Sequence, residues 1–461
     1  MKKKTFLIIL IIFLNINTYC QDWVRIYGDN ISAYPHDLIE TYDKGYIISG
    51  EIYWGQIVKY GWLIKTDING EILWDKKFGN IEYKTAIRGI SQTNDGGYII
   101  TGGVDIYDSQ GDPFILKLNT CGKKEWCKIF HMGNHIDYGE KVIALPGGGY
   151  LGLIRYYGYD YYNKRIWLFR LDEQGNIIWK KVYAQQDPKI TNEDCYDLTF
   201  FQDSSFLITG ECYYPNPGDT NNYYWERPFF IKVDTTGEEI WTLPWGKTEY
   251  YYGSSVNSVI DKNDNIYSVG RHSRSEEPWG DSPVLLKTNS QGQQLYYKDI
   301  LEDTYGAIAF TVTMLNDTSL AVGTSWINNH NPDSTGYTTI FKVDTLGNII
   351  KQKDVLVSEN SPRCSLLTFD KKLLIAGGFY FGNNWDIYMW KFNQDLEYDS
   401  IYTQAYTYDS LCPYGIASDT ISLDTTTVNL DELWIEMQGG IKIIPNPAKD
   451  KLRIEIKNSK V

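Results

Sequence analysis

The residues whose types and spacing invite chemistry in this chain of 461 are five histidines, seven cysteines and a set of clustered aromatics. His131 and His135 have the spacing that sets two imidazoles on one helix face for a metal ion. Gly133-Asn134 between them breaks such a helix, so a surface loop is expected and no metal site is assigned. Asp261-Lys262-Asn263-Asp264-Asn265 carries the acid and amide alternation of a calcium loop but lacks the glutamate that closes one. A nucleophile elbow, a P-loop and a dinucleotide glycine fingerprint are all missing, so no catalytic residue and no cofactor are expected. Cys195 and Cys212 are symmetric about Asp203-Ser204, which predicts a possible disulfide across a hairpin. Cys121 sits in a turn and Cys127 well along the next strand, too far apart to bond.

The aromatics of interest lie in segments that differ from one another: EIYWGQIVKYGW, RYYGYDYYNKR, ECYYPNPGDTNNYYWERP and GFYFGNNWD. Flat apolar rings beside Asn and Asp suit sugars or a protein surface. Trp54, Tyr157, Tyr214, Trp225 and Trp385 are therefore the expected ligand-binding residues.

These segments are held by a repeat. LIKTDINGEILW from Leu63 recurs from Ile115, Leu168, Phe230, Leu285, Ile340 and Met389, at separations of 52, 53, 62, 55, 55 and 49 residues. Each copy reads as strand, tight turn, strand. A second hairpin precedes it, as in Thr85–Gln92, the turn Asn94–Gly97 and YIITGG. Four strands, A to D, repeated seven times predict an all-β, seven-bladed β-propeller of four-stranded antiparallel blades.

Within the repeat, an Asp or Asn opens the C–D turn and a glycine closes it in six copies (Gly70, Gly122, Gly175, Gly237, Gly292 and Gly347). Trp74, Trp126, Trp179, Trp241 and Tyr296 follow four residues later and read as wedges between blades. A basic residue stands in every C strand, from Lys65 to Lys391, and is expected to lay its stem on aromatics with its charge on a carboxylate or in water. Strand B carries a glycine in every copy but one, where Ile154 replaces it, and such a glycine marks a bulge or a close backbone approach. DWVRIYG at Asp22–Gly28 resembles a D strand, so the N-terminus is expected to complete blade 7, with Glu397–Gln404 competing for that slot.

The two ends give the expected address. Lys2, Lys3 and Lys4 before the apolar run Phe6–Leu14 read as a signal peptide over residues 1–20, cleaved before Gln21, with acylation of Cys20 as the rival. No other stretch is long and apolar enough to span a bilayer, so no transmembrane segment is expected in the mature chain. A formal net charge of -14 argues against nucleic acid and anionic membranes as partners. Residues 21–412 form the propeller, 413–440 a Thr- and Asp-rich linker, and 441–461 a last small segment.

Two resemblances add to this. The D-x-x-G-x-x-x-W spacing resembles the tryptophan-docking repeat of quinoprotein-like propellers, a superfamily that includes quinone-dependent dehydrogenases and non-catalytic scaffolds. IKIIPNPAKDKLRIEI at Ile441–Ile456, with Pro445-Asn446-Pro447 as its signature, resembles the start of the type A C-terminal sorting domain of the type IX secretion system of Bacteroidetes. That likeness implies the type IX machinery as a partner, a secreted or cell-surface location, and a sorting domain truncated at Val461. The expected function is an exported binding propeller without catalysis, its ligand a glycan or a surface protein. The alternative is an enzyme on a quinoprotein-like propeller, either a quinone-dependent dehydrogenase or a polysaccharide-degrading enzyme.

Overall fold

The structure is a computed structural model that describes residues 22–28, 31–54, 57–79, 84–104, 111–131, 137–157, 164–183, 187–215, 224–244, 252–273, 281–301, 304–328, 336–357, 360–381, 384–423, 426–429, 441–443 and 454–456. The signal-peptide, acylation and Pro445-Asn446-Pro447 expectations fall outside these residues. Seven antiparallel sheets, each built on four strands, follow one another along the chain. Their A strands are Ser32–Glu40, Thr85–Gln92, Tyr138–Ala144, Thr191–Phe200, Tyr252–Ile260, Thr304–Asn316 and Asn360–Leu367. Each A strand touches the A strand of the next blade, and blade 7 touches blade 1, so the ring is closed around an axis.

Strand side chains alternate between two faces, and each face belongs to a different interface between blades. Leu63 joins Trp74, Ile87, Phe114 and Leu116 between blades 1 and 2, whereas its neighbour Ile64 joins Trp23, Leu374 and Met389 between blades 7 and 1. The hydrophobic core is thus divided into clusters, one per interface, and the period of two along each strand feeds both.

The N-terminal strand closes the ring. Val24–Tyr27 pairs antiparallel with Asn384–Phe392 as the fourth strand of blade 7. Trp23 is fully buried and stands where the other blades place their wedge, beside Gly70 of blade 1. The seventh repeat lost its own tryptophan because this one replaces it. Glu397–Gln404 shares that slot only at its start: Tyr398 bridges Phe392, Asp399 N–H donates to the Lys391 carbonyl, and the Asp399 carbonyl accepts from Trp23 N–H as the N-terminal strand takes over.

The wedges and the turn glycines explain each other. Gly175 and Gly237 have φ of 78° and 83°, where a side chain is strained. A Cβ at either position lies 2.8 Å from the ring of Trp126 or Trp179 of the preceding blade. The C–D turn is capped by its first side chain: Asp67 Oδ1 accepts the amides of Asn69 and Glu71, both at 2.8 Å. The seventh turn keeps this geometry without glycine, with Leu396 at φ 58° and Asn393 as the acceptor. The strand-C cations are scaffold as expected. Lys65, Lys117 and Lys391 are buried and reach Asp43, Asp95 and Asp370 of their own A–B turns at 2.6, 2.9 and 3.2 Å.

The chain after blade 7 departs from expectation. The segment expected to be a linker adds outer strands: Asp419–Ile421 pairs parallel with Ile72–Phe78 of blade 1, and Thr426–Asn429 pairs parallel with Lys124–His131 of blade 2. On the way, Asp409 accepts the indole N–H of Trp74 at 3.0 Å, Lys76 bonds Asp419 at 2.6 Å, and Cys412 forms a disulfide with Cys121. The expected Cys195–Cys212 bond is corrected. The hairpin centres on Asp203, with Phe200 opposite Phe206, and a bulge in strand A shifts the register by one residue more, so Cys195 faces Gly210 and both thiols stay buried and unbonded.

Two outcomes test this reading. Trp74, covered by the tail, is 2% exposed, whereas Trp179 is only half-buried. Trp74→Ala is therefore expected to cost about 3–5 kcal/mol in denaturant unfolding, and Trp179→Ala clearly less. Cys412→Ser is expected to cost about 2–5 kcal/mol and to raise amide exchange in Asp419–Ile421 and Ile72–Phe78, with the other blades unchanged.

Candidate functional site at the axial ring

Every A strand breaks its ladder at the same place. Register skips one residue between Pro35 and Asp37, Ile87 and Gly89, Gly139 and Lys141, Cys195 and Asp197, Ser255 and Asn257, Ala309 and Thr311, and Pro362 and Cys364. The residue left out is His36, Arg88, Glu140, Tyr196, Val256, Phe310 and Arg363 in blades 1 to 7. A bulge unpairs one residue and re-aims its side chain. Six of these residues are exposed or half-buried, five of them between buried neighbours; only Glu140 is covered.

The bulge also accounts for the strand-B glycines. A Cβ at Gly50, Gly102, Gly210 or Gly270 lies 2.2, 1.9, 1.9 and 1.9 Å from the carbonyl oxygen of Tyr34, Ala86, Asp194 or Ser254, two residues before the bulge. Blade 3 has Ile154 in place of that glycine; it faces Gly139, whose own lack of a side chain makes room for Thr101 of blade 2.

The ring has two chemically different arcs. Arg363, His36 and Arg88 are consecutive around blades 7, 1 and 2. Arg363 lies over the rings of Tyr34 and Phe310 at 4.9 and 4.8 Å, and its Nε donates to the Tyr34 hydroxyl. The rings of Tyr34 and His36 are 5.7 Å apart. His36 Nε2 is 3.1 Å from Glu51, which also accepts from Tyr53. Burial alone would raise the Glu51 carboxyl, but His36 brings it down to about 2, so it stays ionised. Arg88 lies 3.2 Å from Glu140 and over the Tyr138 ring. Tyr196, Val256 and Phe310 make the opposite, apolar arc across blades 4 to 6.

A second layer sits behind Tyr196. Arc and layer meet through Arg155, which is 3.2 Å from Glu140, pairs with Asp194 and covers the Tyr196 ring at 4.8 Å. Tyr196 hydrogen-bonds Glu211, whose carboxyl is pushed up to about 8 by burial and by the neighbouring Glu226. The floor beneath the ring is crossed by Lys141, which reaches Asp37 of blade 1 at 2.9 Å past Gly89 of blade 2. A Cβ at Gly89 lies 2.9 Å from the Lys141 backbone, so the crossing needs that glycine.

The aromatics singled out by sequence fall around this ring rather than in it. Trp385 packs edge-on against Tyr34 at 5.5 Å and against Tyr380 at 5.4 Å. Tyr157 stands among the charges: Arg155 donates to its hydroxyl at 3.1 Å and Lys164 lies over its ring at 4.9 Å. Tyr214 and Trp225 are cross-strand partners at the outer reach of blade 4. Trp54 ends the strand Tyr46–Trp54, and its side chain lies outside the described residues. Four of the five sit on strands, because B and C run further than expected. His131 lies 3.1 Å from Asp112, and His135 is outside the described residues. Sequence reasoning missed the bulge residues, although the strand-B glycines pointed at them from across the ladder.

Three buried acids near this face titrate late. Burial raises Asp137 to about 8, aided by Asp112. Burial raises Glu193 to about 7 against the pull of Arg165, and Glu211 stands at about 8. Each binds its proton more tightly folded than unfolded, where the ordinary values are 3.8 and 4.5. Their contribution is full below those values and is lost as pH rises through 7 to 8. The melting temperature is therefore expected to fall between about pH 5 and about pH 8, and Glu211→Gln to flatten the upper part of that fall. Calorimetry across the range reads it, and a flat or rising profile refutes it.

No family model matches the sequence, and none of the curated proteins matches it. Among solved structures, the chain is similar to a polysaccharide lyase of family PL25, an ulvan lyase, at 11% identity and a TM-score of 0.52, over 80% of this chain and 96% of the other. An α-L-arabinofuranosidase of family GH93 from Fusarium graminearum matches at 11% identity and a TM-score of 0.43, over 80% and 94%. A member of the DUF4221 family from Bacteroides vulgatus matches at 12% and 0.38, over 80% and 98%. The expectation of a propeller without catalysis is corrected by the first of these, an enzyme that shares the fold over most of both chains. At such identities the likeness extends to the architecture, and the chain is a seven-bladed, all-β propeller with structural neighbours from Bacteroides.

Proposed function

We propose that this chain is a glycan-cleaving enzyme whose reaction centre is the axial ring. One observation carries the reading: seven bulges turn one side chain from every blade toward a single axis, and they gather there histidine, arginine, tyrosine and carboxylate with proton affinities pushed apart. Glu51 is held ionised beside His36, whereas Glu211 is held protonated behind Tyr196. Such separation of acids is what proton transfer at one centre needs. The lyase described for the similar fold agrees with this. Trp385 and Tyr157, which flank the ring, are placed to hold sugar rings on the approach, with Tyr214, Trp225 and Trp54 further out.

Export is part of the proposal. The charged and apolar leader, the type IX-like signature at Pro445-Asn446-Pro447 and the Cys121–Cys412 disulfide all favour an oxidising space outside the cytoplasm, where a polymer is met. Immunodetection of the native protein in the cytoplasmic fraction alone refutes this part.

The experiment is incubation of the purified protein with a panel of plant, algal and bacterial polysaccharides, reading new reducing ends. At least one polymer is expected to be cut. His36→Ala is expected to lower kcat about 100-fold or more, and also to lower the melting temperature because it leaves buried Glu51 without its partner; His36→Gln separates the two effects. Trp385→Ala is expected to raise KM by about 1–2 kcal/mol equivalent and leave kcat nearly intact. A folded protein that cuts none of the panel refutes the reading.

A further inference from the structure

We propose that two copies of this chain pair through the face that carries the A–B and C–D turns, each inserting Tyr414 into a slot between blades 2 and 3 of the other. The ground is a set of three like grooves, two of which the chain fills with its own tail. Between blades 7 and 1 stand Asp370, Lys391, Trp23 and Tyr46, and between blades 1 and 2 stand Asp43, Lys65, Trp74 and Tyr98. Between blades 2 and 3 the same four types return as Asp95, Lys117, Trp126 and Tyr150. Lys117 is 2.9 Å from Asp95, and the two rings are 5.8 Å apart. The tail covers the first two carboxylates, whose side chains are 16% and 1% exposed, whereas that of Asp95 is 56% exposed. A cavity of about 240 Å³ lies at this third groove, with Asp95, Lys117, Tyr150 and Gln174 in its wall.

The filled grooves define what such a slot accepts. In the first, the Tyr402 hydroxyl donates to Asp370 and to Asp399, and Lys391 lies over the Tyr402 ring at 4.2 Å. Asn69, the third residue of the next blade's C–D turn, fastens the backbone there. Its side-chain amide accepts from the Tyr402 N–H at 2.7 Å and donates to the Tyr402 carbonyl at 2.9 Å. In the second groove Asp409 accepts the Trp74 indole N–H, and Cys121, at the same turn position as Asn69, is bonded to Cys412. In the third groove that position is Gln174, an exposed amide of the same chemistry as Asn69. The third groove follows the first and not the second. Trp126 already gives its indole N–H to the Glu173 carbonyl at 3.1 Å, and Lys117 is shared by Asp95 and Glu125. An incoming carboxylate meets two like charges there, whereas a phenol O–H donates to the exposed Asp95.

The phenol that fits is carried on the same face. Tyr414 stands two residues after the disulfide at Cys412 and is 77% exposed. Its backbone N–H and carbonyl make no hydrogen bond among the described residues, so both are open to Gln174 of a second copy. Its own chain leads it away from its own slot, because Ile416 lies by Gly122 and Asp419–Ile421 runs along blade 1. Leu411 and Tyr42, 50% and 40% exposed, border the slot: Leu411 sits on Gly96, next to Asp95, and its N–H reaches the Tyr42 hydroxyl. A tyrosine and its slot on one face meet the self-complementarity that a two-fold dimer requires, where every contact is made twice. Pairing also covers this apolar border, and the tyrosine enters as a neutral donor that adds no charge to an acidic slot.

Sedimentation equilibrium of the purified protein over a dilution series reads the pairing. Wild type is expected to reach the mass of two chains at the upper concentrations. Each copy carries a formal net charge of -14, so added salt is expected to tighten the dimer by screening the repulsion. Tyr414→Ala and Gln174→Ala, both on exposed side chains, are each expected to weaken it about 10-fold or more with unchanged melting temperatures. Tyr414→Phe keeps the ring and loses the phenol donor, and is expected to fall between wild type and Tyr414→Ala. An equimolar mixture of the two alanine variants forms a heterodimer with one intact Tyr414–Gln174 contact, and is expected to associate more tightly than either variant alone. A wild type that stays monomeric throughout, a Tyr414→Ala variant that pairs as wild type does, or a mixture no tighter than its components overturns the inference.

Discussion

The geometry at the axis depends on one steric constraint, the missing side chain on strand B. Where strand A bulges, a carbonyl turns toward strand B and occupies the space a Cβ would fill, within 1.9 to 2.2 Å in four blades. Glycine there permits the bulge, the bulge frees one residue of strand A from its ladder, and that residue points at the axis. Blade 3 is the exception, with Ile154 in the strand-B position opposite Gly139. The hydrophobic clusters between blades hold the sheets at the spacing that makes seven such side chains converge.

Ring closure is the second requirement, and it is met twice. Trp23 and the strand Val24–Tyr27 fill the outer slot of blade 7, which supplies the wedge that the last repeat lacks. On the turn face, the chain after blade 7 passes under blade 1 and is bonded covalently to blade 2 through Cys121–Cys412. The extra parallel strands on blades 1 and 2 also cover edges that would otherwise be open to pairing. The interfaces between blades 7, 1 and 2 are where the ring is joined, and they carry this added fastening.

Most of the architecture was legible because it is repeated. Turn glycines, wedge tryptophans and strand-C lysines recur at fixed spacing, and a repeated feature reports the scaffold. The axial ring was not legible for the opposite reason: His36, Arg88, Glu140, Tyr196, Val256, Phe310 and Arg363 occupy one structural position yet share no residue type. These seven positions vary in type while the strands that carry them do not. The Cys195–Cys212 expectation failed on the turn, which pairs Phe200 with Phe206 and offsets the two cysteines by one residue, and on the same bulge, which adds another and sets Cys195 against Gly210. The tail was misjudged because Thr- and Asp-rich composition describes a linker as well as a short edge strand.

The join in the ring has a consequence for the timing of synthesis. Tyr34 and His36 emerge among the first residues of the propeller, whereas Arg363, Ser361 and Trp385, which contact Tyr34, belong to the last blade. A ribosome-bound or prematurely terminated chain holds one half of the axial site and lacks the other. Completion of the polypeptide is thus the step that assembles this constellation around Tyr34.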